Sequence, residues 1–134
     1  MGYRSDVLLA VAFETEEQLN DVWAIYCMNP KVQEHDIAKY WEKKIDGAYP
    51  VLWYYINDVK WYDSYEDVMA FEALFELVET FKKERGDAFD YAWIKIRLGE
   101  DDDDTERRNN HSSDALNDYL YECANIRRAI EHSV

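Results

Sequence analysis

Residues 60–68 read K-W-Y-D-S-Y-E-D-V, one cation and three aromatics set among three acids. An ammonium can hold a phosphate and an indole can stack a base, so Lys60, Trp61 and Tyr62 form a candidate ligand patch. Arg4, Lys95 and Arg97 extend it. They fall at the ends of strand-like segments or on a strand face near Tyr or Trp, and neighbouring strands would bring them together. The competing reading is architectural: the cations pair with nearby acids and the aromatics cover a sheet.

A second pattern lies in the acids. Glu17 and Asp21 stand i,i+4 on one helical segment, and Glu72, Glu76 and Glu79 stand i,i+4 and i,i+3 on another. Like charges at these spacings cost roughly a few tenths of a kcal/mol each, so helix stability does not call for them. Two such helices side by side would carry acidic ridges about 8–10 Å apart, a spacing acceptable to a phosphate-binding protein. The bland alternative is a solvated face without a partner.

Chemistry of other kinds has little support. No G-x-S-x-G, Walker loop, dinucleotide fingerprint or H-E-x-x-H occurs. His35, His111 and His132 are scattered, and Cys27 and Cys123 sit in neither C-x-x-C nor zinc spacing. The acidic run 100–104 lacks the D-x-D-x-D-G spacing of a calcium loop and reads as a solvated turn. No catalytic residue, metal site or cofactor is expected.

Composition narrows the partners. The 134-residue chain carries 29 acids against 15 Lys plus Arg, a net charge of −14. Such a field repels nucleic acid and anionic membranes, and favours a basic protein, a divalent cation or imitation of nucleic acid. The length is that of one domain, 1–134, and 48% apolar with 16% aromatic residues is enough for a core. The chain runs into a strand-like segment with no signal-peptide pattern, and no apolar run has transmembrane length. A soluble protein of a reducing cytoplasm is the expectation.

The elements that must position these residues follow from pattern. Residues 7–13, V-L-L-A-V-A-F, read as a central strand buried on both faces. T-E-E-Q at 15–18 is a capping box opening a helix with Leu19, Val22, Trp23 and Tyr26 as its apolar stripe. Residues 38–45 fit a helix or a strand, with a helical turn and then a strand from about Ala38 preferred. Asp46 and Gly47 make a turn into a strand with a kink at Asn57 and Asp58. Ser64 and Asp67 suggest a second capping box, before the stripe Val68, Phe71, Leu74, Phe75, Val78 and Phe81, which ends at Gly86. Residues 89–98 alternate as a strand. Residues 101–118 read as an acidic, mobile loop, and 119–130 fit helix or strand equally.

The pieces M-G-Y-R-S-D-V (1–7), K-W-Y-D-S-Y-E-D-V (60–68) and I-R-L-G-E-D-D-D-D (96–104) resemble a family of small proteins encoded by tailed phages and prophages, mostly without assigned function. The resemblance implies a bacterial cytoplasm and favours a strand for the C-terminal segment. It transfers no catalytic residue. The expected fold is α+β: a ferredoxin-like antiparallel sheet with two main helices on one face and an added C-terminal strand or hairpin. Both sheet faces would be apolar, so a homodimer, or the C-terminal hairpin folded back, is expected to cover the second. The leading function is a non-enzymatic protein that blocks a host nucleic-acid-handling or defence factor through its acidic helix faces. The alternative is a nucleotide-binding protein using the Lys60–Trp61 patch.

Overall fold

The computed structural model describes residues 4–101 and 103–133, with side chains as far as Ala124 in the last helix. Its centre is β1 (Ser5–Phe13), hydrogen-bonded antiparallel to β3 (Val51–Val59) on one side and β4 (Tyr91–Leu98) on the other. β2 (Glu42–Lys44) flanks β3 and β5 (Thr105–His111) flanks β4, giving the order β2-β3-β1-β4-β5. Without β5 this is the ferredoxin-like order, as expected from pattern.

The uninterrupted apolar run of β1 is explained by its place. Val7, Leu9, Val11 and Phe13 enter one core, while Leu8, Ala10 and Ala12 enter another on the opposite face. α1 (Glu16–Cys27) and α3 (Glu66–Arg85) cover the first face, joined by the short α2 (Pro30–Glu34). Leu19, Val22 and Tyr26 of α1 and Val68, Phe71, Leu74, Phe75 and Val78 of α3 are the buried stripes.

The second face is covered by α4 (Asp114–Ser133), which corrects the expectation of a strand over 119–130. Leu116, Leu120 and Ala124 recur at i,i+4,i+8 and pack on Leu8, Ala10, Ile94 and Ile96. A helix can press one stripe onto a sheet, whereas an added edge strand would leave this second face bare. The bare face that argued for a second chain is thus occupied by the chain's own tail. Ile126 and Ile130, which continue the apolar positions of 119–130 in the sequence, lie outside the described side chains.

The expected added strand exists, but at β5, within the segment read as a loop. Its residues are polar, and besides the ladder bonds to β4 it is held by ion pairs in place of apolar contacts, Glu106 meeting both Arg97, directly opposite it, and Lys95. Glu106, Arg108 and Asn110 point to the α3 side, and Arg107 and Asn109 meet α4 at Tyr121 and Asn117.

Local signals were met unevenly. Thr15 Oγ1 accepts from the Gln18 backbone at 3.2 Å, but the Gln18 side chain donates to the Ala88 carbonyl and does not close the box. The second capping box does not form. Tyr65 is the N-cap of α3 without a side-chain bond, and Asp67 caps the next residue, Val68. A 3₁₀ turn (Ile37–Tyr40) precedes β2, which starts four residues later than expected because Trp41 is buried in the core. Asp58, with φ of 57°, and the register shift between Ser5 and Val7 realise the predicted kink.

Gly47 has an unexpected role. Its φ is not positive, but a Cβ there would overlap the Tyr119 hydroxyl of α4. The β2–β3 turn therefore approaches α4 so closely that any side chain at 47 would require the Tyr119 ring to shift. Gly47→Ala should lower stability by about 1–2 kcal/mol in urea unfolding, and adding Tyr119→Phe should recover part of that loss.

Candidate functional site

The sheet brings the predicted cations to one end, and its own carboxylates meet them there. Lys95 is 1% exposed; its Nζ lies 2.9 Å from Glu72, 3.5 Å from Glu106 and 3.9 Å from Asp63. Arg97 is held in a fork by Asp104 at 2.8 and 3.1 Å, and also donates to Glu106 and to Ser5 Oγ. Asp104 beside it raises the Arg97 pKa further. Arg4 donates from its backbone to Glu100 and from its guanidinium to the Asp58 carbonyl.

The aromatic part of the patch divides. Trp61 is buried against Phe71 at 5.5 Å and Tyr54 at 6.2 Å, so it belongs to the core. Its indole N–H finds no acceptor among the described residues. Tyr62 is half-buried against Tyr65 at 5.0 Å, and Lys60 is exposed. A stacked base would have no face of Trp61 to meet.

The acids of the two helices also divide. Glu72 turns inward to Lys95 and, at 3.8 Å, to Arg108. Glu79 accepts from the Trp93 indole and from Asn110, each at 3.0 Å. These cross-element bonds account for carboxylates that α3 alone would not favour. Asp21 pairs with Arg85 at 3.0 Å, while Glu17 and Glu76 are exposed. The predicted ridges are therefore reduced to Glu17 and Glu76, with Asp21 matched by Arg85.

Outside the expected residues, an apolar groove of about 460 Å³ opens between the C-terminal part of α1 and the middle of α3. Ile25, Met28, Pro30, Ala73 and Leu77 line it, with Glu76 and Thr80 on its α3 wall. Glu76 also borders a second cavity of about 280 Å³ toward β5, with Asp63, Met69, Glu72 and Arg108. The sequence held a signal for the groove: Met69, Ala73 and Leu77 make a second i,i+4,i+8 stripe beside the core stripe of α3.

Glu34, His35 and Glu66 place three potential ligand atoms within 4.8 Å of one another. The Lys31 ammonium already lies 3.4 Å from Glu34 and 3.1 Å from Glu66, so this cluster carries its own cation. Lys31, with His35 behind it, holds Glu66 below the usual carboxylate range. Burial pushes the Cys27 and Cys123 thiols up, the direction opposite to an activated nucleophile. No helix among the described residues is long and apolar enough to cross a membrane. Comparisons with protein-family models, curated proteins and solved structures give no match for the chain.

Two measurements test this geometry. Glu72→Ala removes the nearest partner of a buried ammonium and should cost about 2–4 kcal/mol in urea unfolding, with Glu106 limiting the loss. Replacing the pair together, by Glu72→Leu with Lys95→Met, should recover most of it. Second, burial, then Tyr40 and Asp67, push Tyr54 up to about 12, and burial pushes Tyr26 higher still. A folded-state pKa above the ordinary 10.0 means that the contribution of Tyr54 is complete below that pH and lost as pH rises through about 12. Ultraviolet titration should show these two tyrosines ionising only as the fold opens at high pH, together with the loss of tertiary signal.

Proposed function

We propose that this chain is a non-enzymatic acidic protein that binds and blocks a basic host protein, of the kind that handles nucleic acid, through the outer face of α1 and α3. The observation that carries the reading is where the charge is placed. α1 holds Glu16, Glu17 and Asp21 with no cation, and the cations of α3, Lys82, Lys83 and Arg85, are confined to its last turn. Elsewhere Lys95 and Arg97 are enclosed by Glu72, Asp104 and Glu106. The acid surplus thus faces outward, where it steers and holds a basic surface. The resemblance to phage-encoded proteins makes a bacterial factor the natural target.

The nucleotide alternative draws less support. A phosphate arriving at Arg97 or Lys95 would have to displace carboxylates already at 2.8 and 2.9 Å, and Trp61 is closed to stacking.

Capture from bacterial lysate on the immobilised protein tests the proposal. A nucleic-acid-binding protein should be retained at low salt and released as salt rises. Glu17→Lys with Glu76→Lys should abolish retention; these two sites are chosen because Glu72 and Glu79 support the fold. Retention indifferent to both salt and charge reversal would sink the proposal.

A further inference from the structure

We infer that the groove between α1 and α3 receives an amphipathic helix of the partner, one that presents apolar side chains flanked by Lys or Arg; this rests on the protein-binding reading above. Ile25 and Met28 are 46% and 69% exposed, and Met69, at 59%, continues the same apolar strip along α3. On a chain of mean hydropathy −0.60 these side chains are out of keeping with the surface around them. Methionines suit such a place because their flexible thioethers adapt to varied apolar anchors.

The groove has a fixed floor. Tyr26 lies at its base, donating its hydroxyl to the Ala70 carbonyl at 2.8 Å and accepting the Trp41 indole N–H at 3.2 Å. That pair ties α1 to α3 and to the segment before β2, so the walls are set before a partner arrives, which lowers the ordering cost of binding.

The walls also determine the form of the occupant. Both are helices whose main-chain groups, apart from the terminal carbonyls of α1, are bonded within the helix, so no strand edge is offered. An extended peptide would enter with its own backbone unsatisfied, whereas a helix brings its backbone already paired and needs only side-chain contacts. Charge sets the flanks. Glu76 stands exposed on the wall, α1 ends beside the groove without a basic residue in its last turn, and Lys31 and Arg85 are paired to Glu34, Glu66 and Asp21, which leaves Lys83, one turn beyond Thr80, as an exposed cation at the far end of the α3 wall. The negative end of the α1 dipole adds to this field. A second copy of the chain would bring another −14, so self-association is the poorer fit.

The test is fluorescence anisotropy of the intact protein with three short labelled model helices: Leu/Lys amphipathic, Leu/Glu with the same spacing, and Ser/Lys with the apolar face removed. The Leu/Lys helix should bind, the Leu/Glu helix should not, and the Ser/Lys helix should be weaker by about tenfold or more. Ile25→Gln with Met28→Gln, at exposed positions, should weaken the Leu/Lys helix comparably with the urea midpoint unchanged. Equal binding of the Leu/Lys and Ser/Lys helices, or binding unaffected by the double substitution, would overturn the groove. The same double variant separates this inference from the function above. If it still retains the lysate partner, the groove is wrong and docking by charge stands. If wild type retains nothing yet binds the Leu/Lys helix through Ile25 and Met28, the groove stands and the host target is wrong.

Discussion

β1 is a strand with no polar side to offer. From Val7 to Phe13 every residue is buried, alternate side chains entering opposite cores, and its backbone bonds are taken by β3 and β4. A strand of this kind is stable only inside a sheet covered on both faces. The rest of the architecture follows from that requirement. α1 and α3 arrive on one face through the crossovers that place β3 and β4 beside β1, and the tail must return to cover the other. The tight approach of Gly47 to Tyr119 shows how closely the returning helix is seated on the turn opposite.

The charged residues follow a second constraint, that a buried cation must be matched within the fold. Lys95 lies on the β4 face beneath α3, next to Trp93, where most positions are apolar. Its partners come from α3, from β5 and from the loop before α3, so one ammonium joins three elements. Arg97 repeats the device two residues on, at the β4–β5 turn. These bonds fix β5, which has no apolar face to fix itself. The outer acid excess has a simpler origin, the 29 acids set against 15 Lys plus Arg in the chain as a whole.

Much of this was legible in the sequence where hydrophobic period decides the structure. The central run 7–13, the stripes of α1 and α3, and the alternation of β4 all appeared as elements of the right type. Legibility failed where side-chain charge or crowding replaced period. T-E-R-R-N-N-H has no apolar alternation, so β5 looked like a loop, although its polar residues alternate between partners on the two faces. In 119–130 both periods could be drawn through the same letters; Leu120 fits each, and the need to cover the second face decides for the helix. Ser64 resembled a cap, but the helix begins one residue further on. Trp61, chosen for its neighbours in sequence, proved to belong to the core through Tyr54 and Phe71, neighbours that only the fold supplies.

The aromatic surplus links core and surface. Tyr26, Trp41, Tyr54, Trp61 and Phe71 form one connected cluster beneath α3, with Tyr54 and Phe71 stacked at 4.4 Å. Large rigid rings fill the space under α1 and α3 and hold their separation, and the smaller Ala70 and Ala73 leave room at the seam. A helix pair held apart at a fixed distance exposes whatever lies along its outer seam, and here that is Ile25, Met28 and Leu77. The local patterns elsewhere agree with the fold, placing apolar residues inward and acids outward. The seam is where they do not agree, and a departure of this kind from an otherwise consistent pattern is where function is best sought. An acidic shell around an apolar strip gives long-range attraction for a basic partner together with short-range selection for the side chains it presents, two properties that neither charge nor greasiness supplies alone.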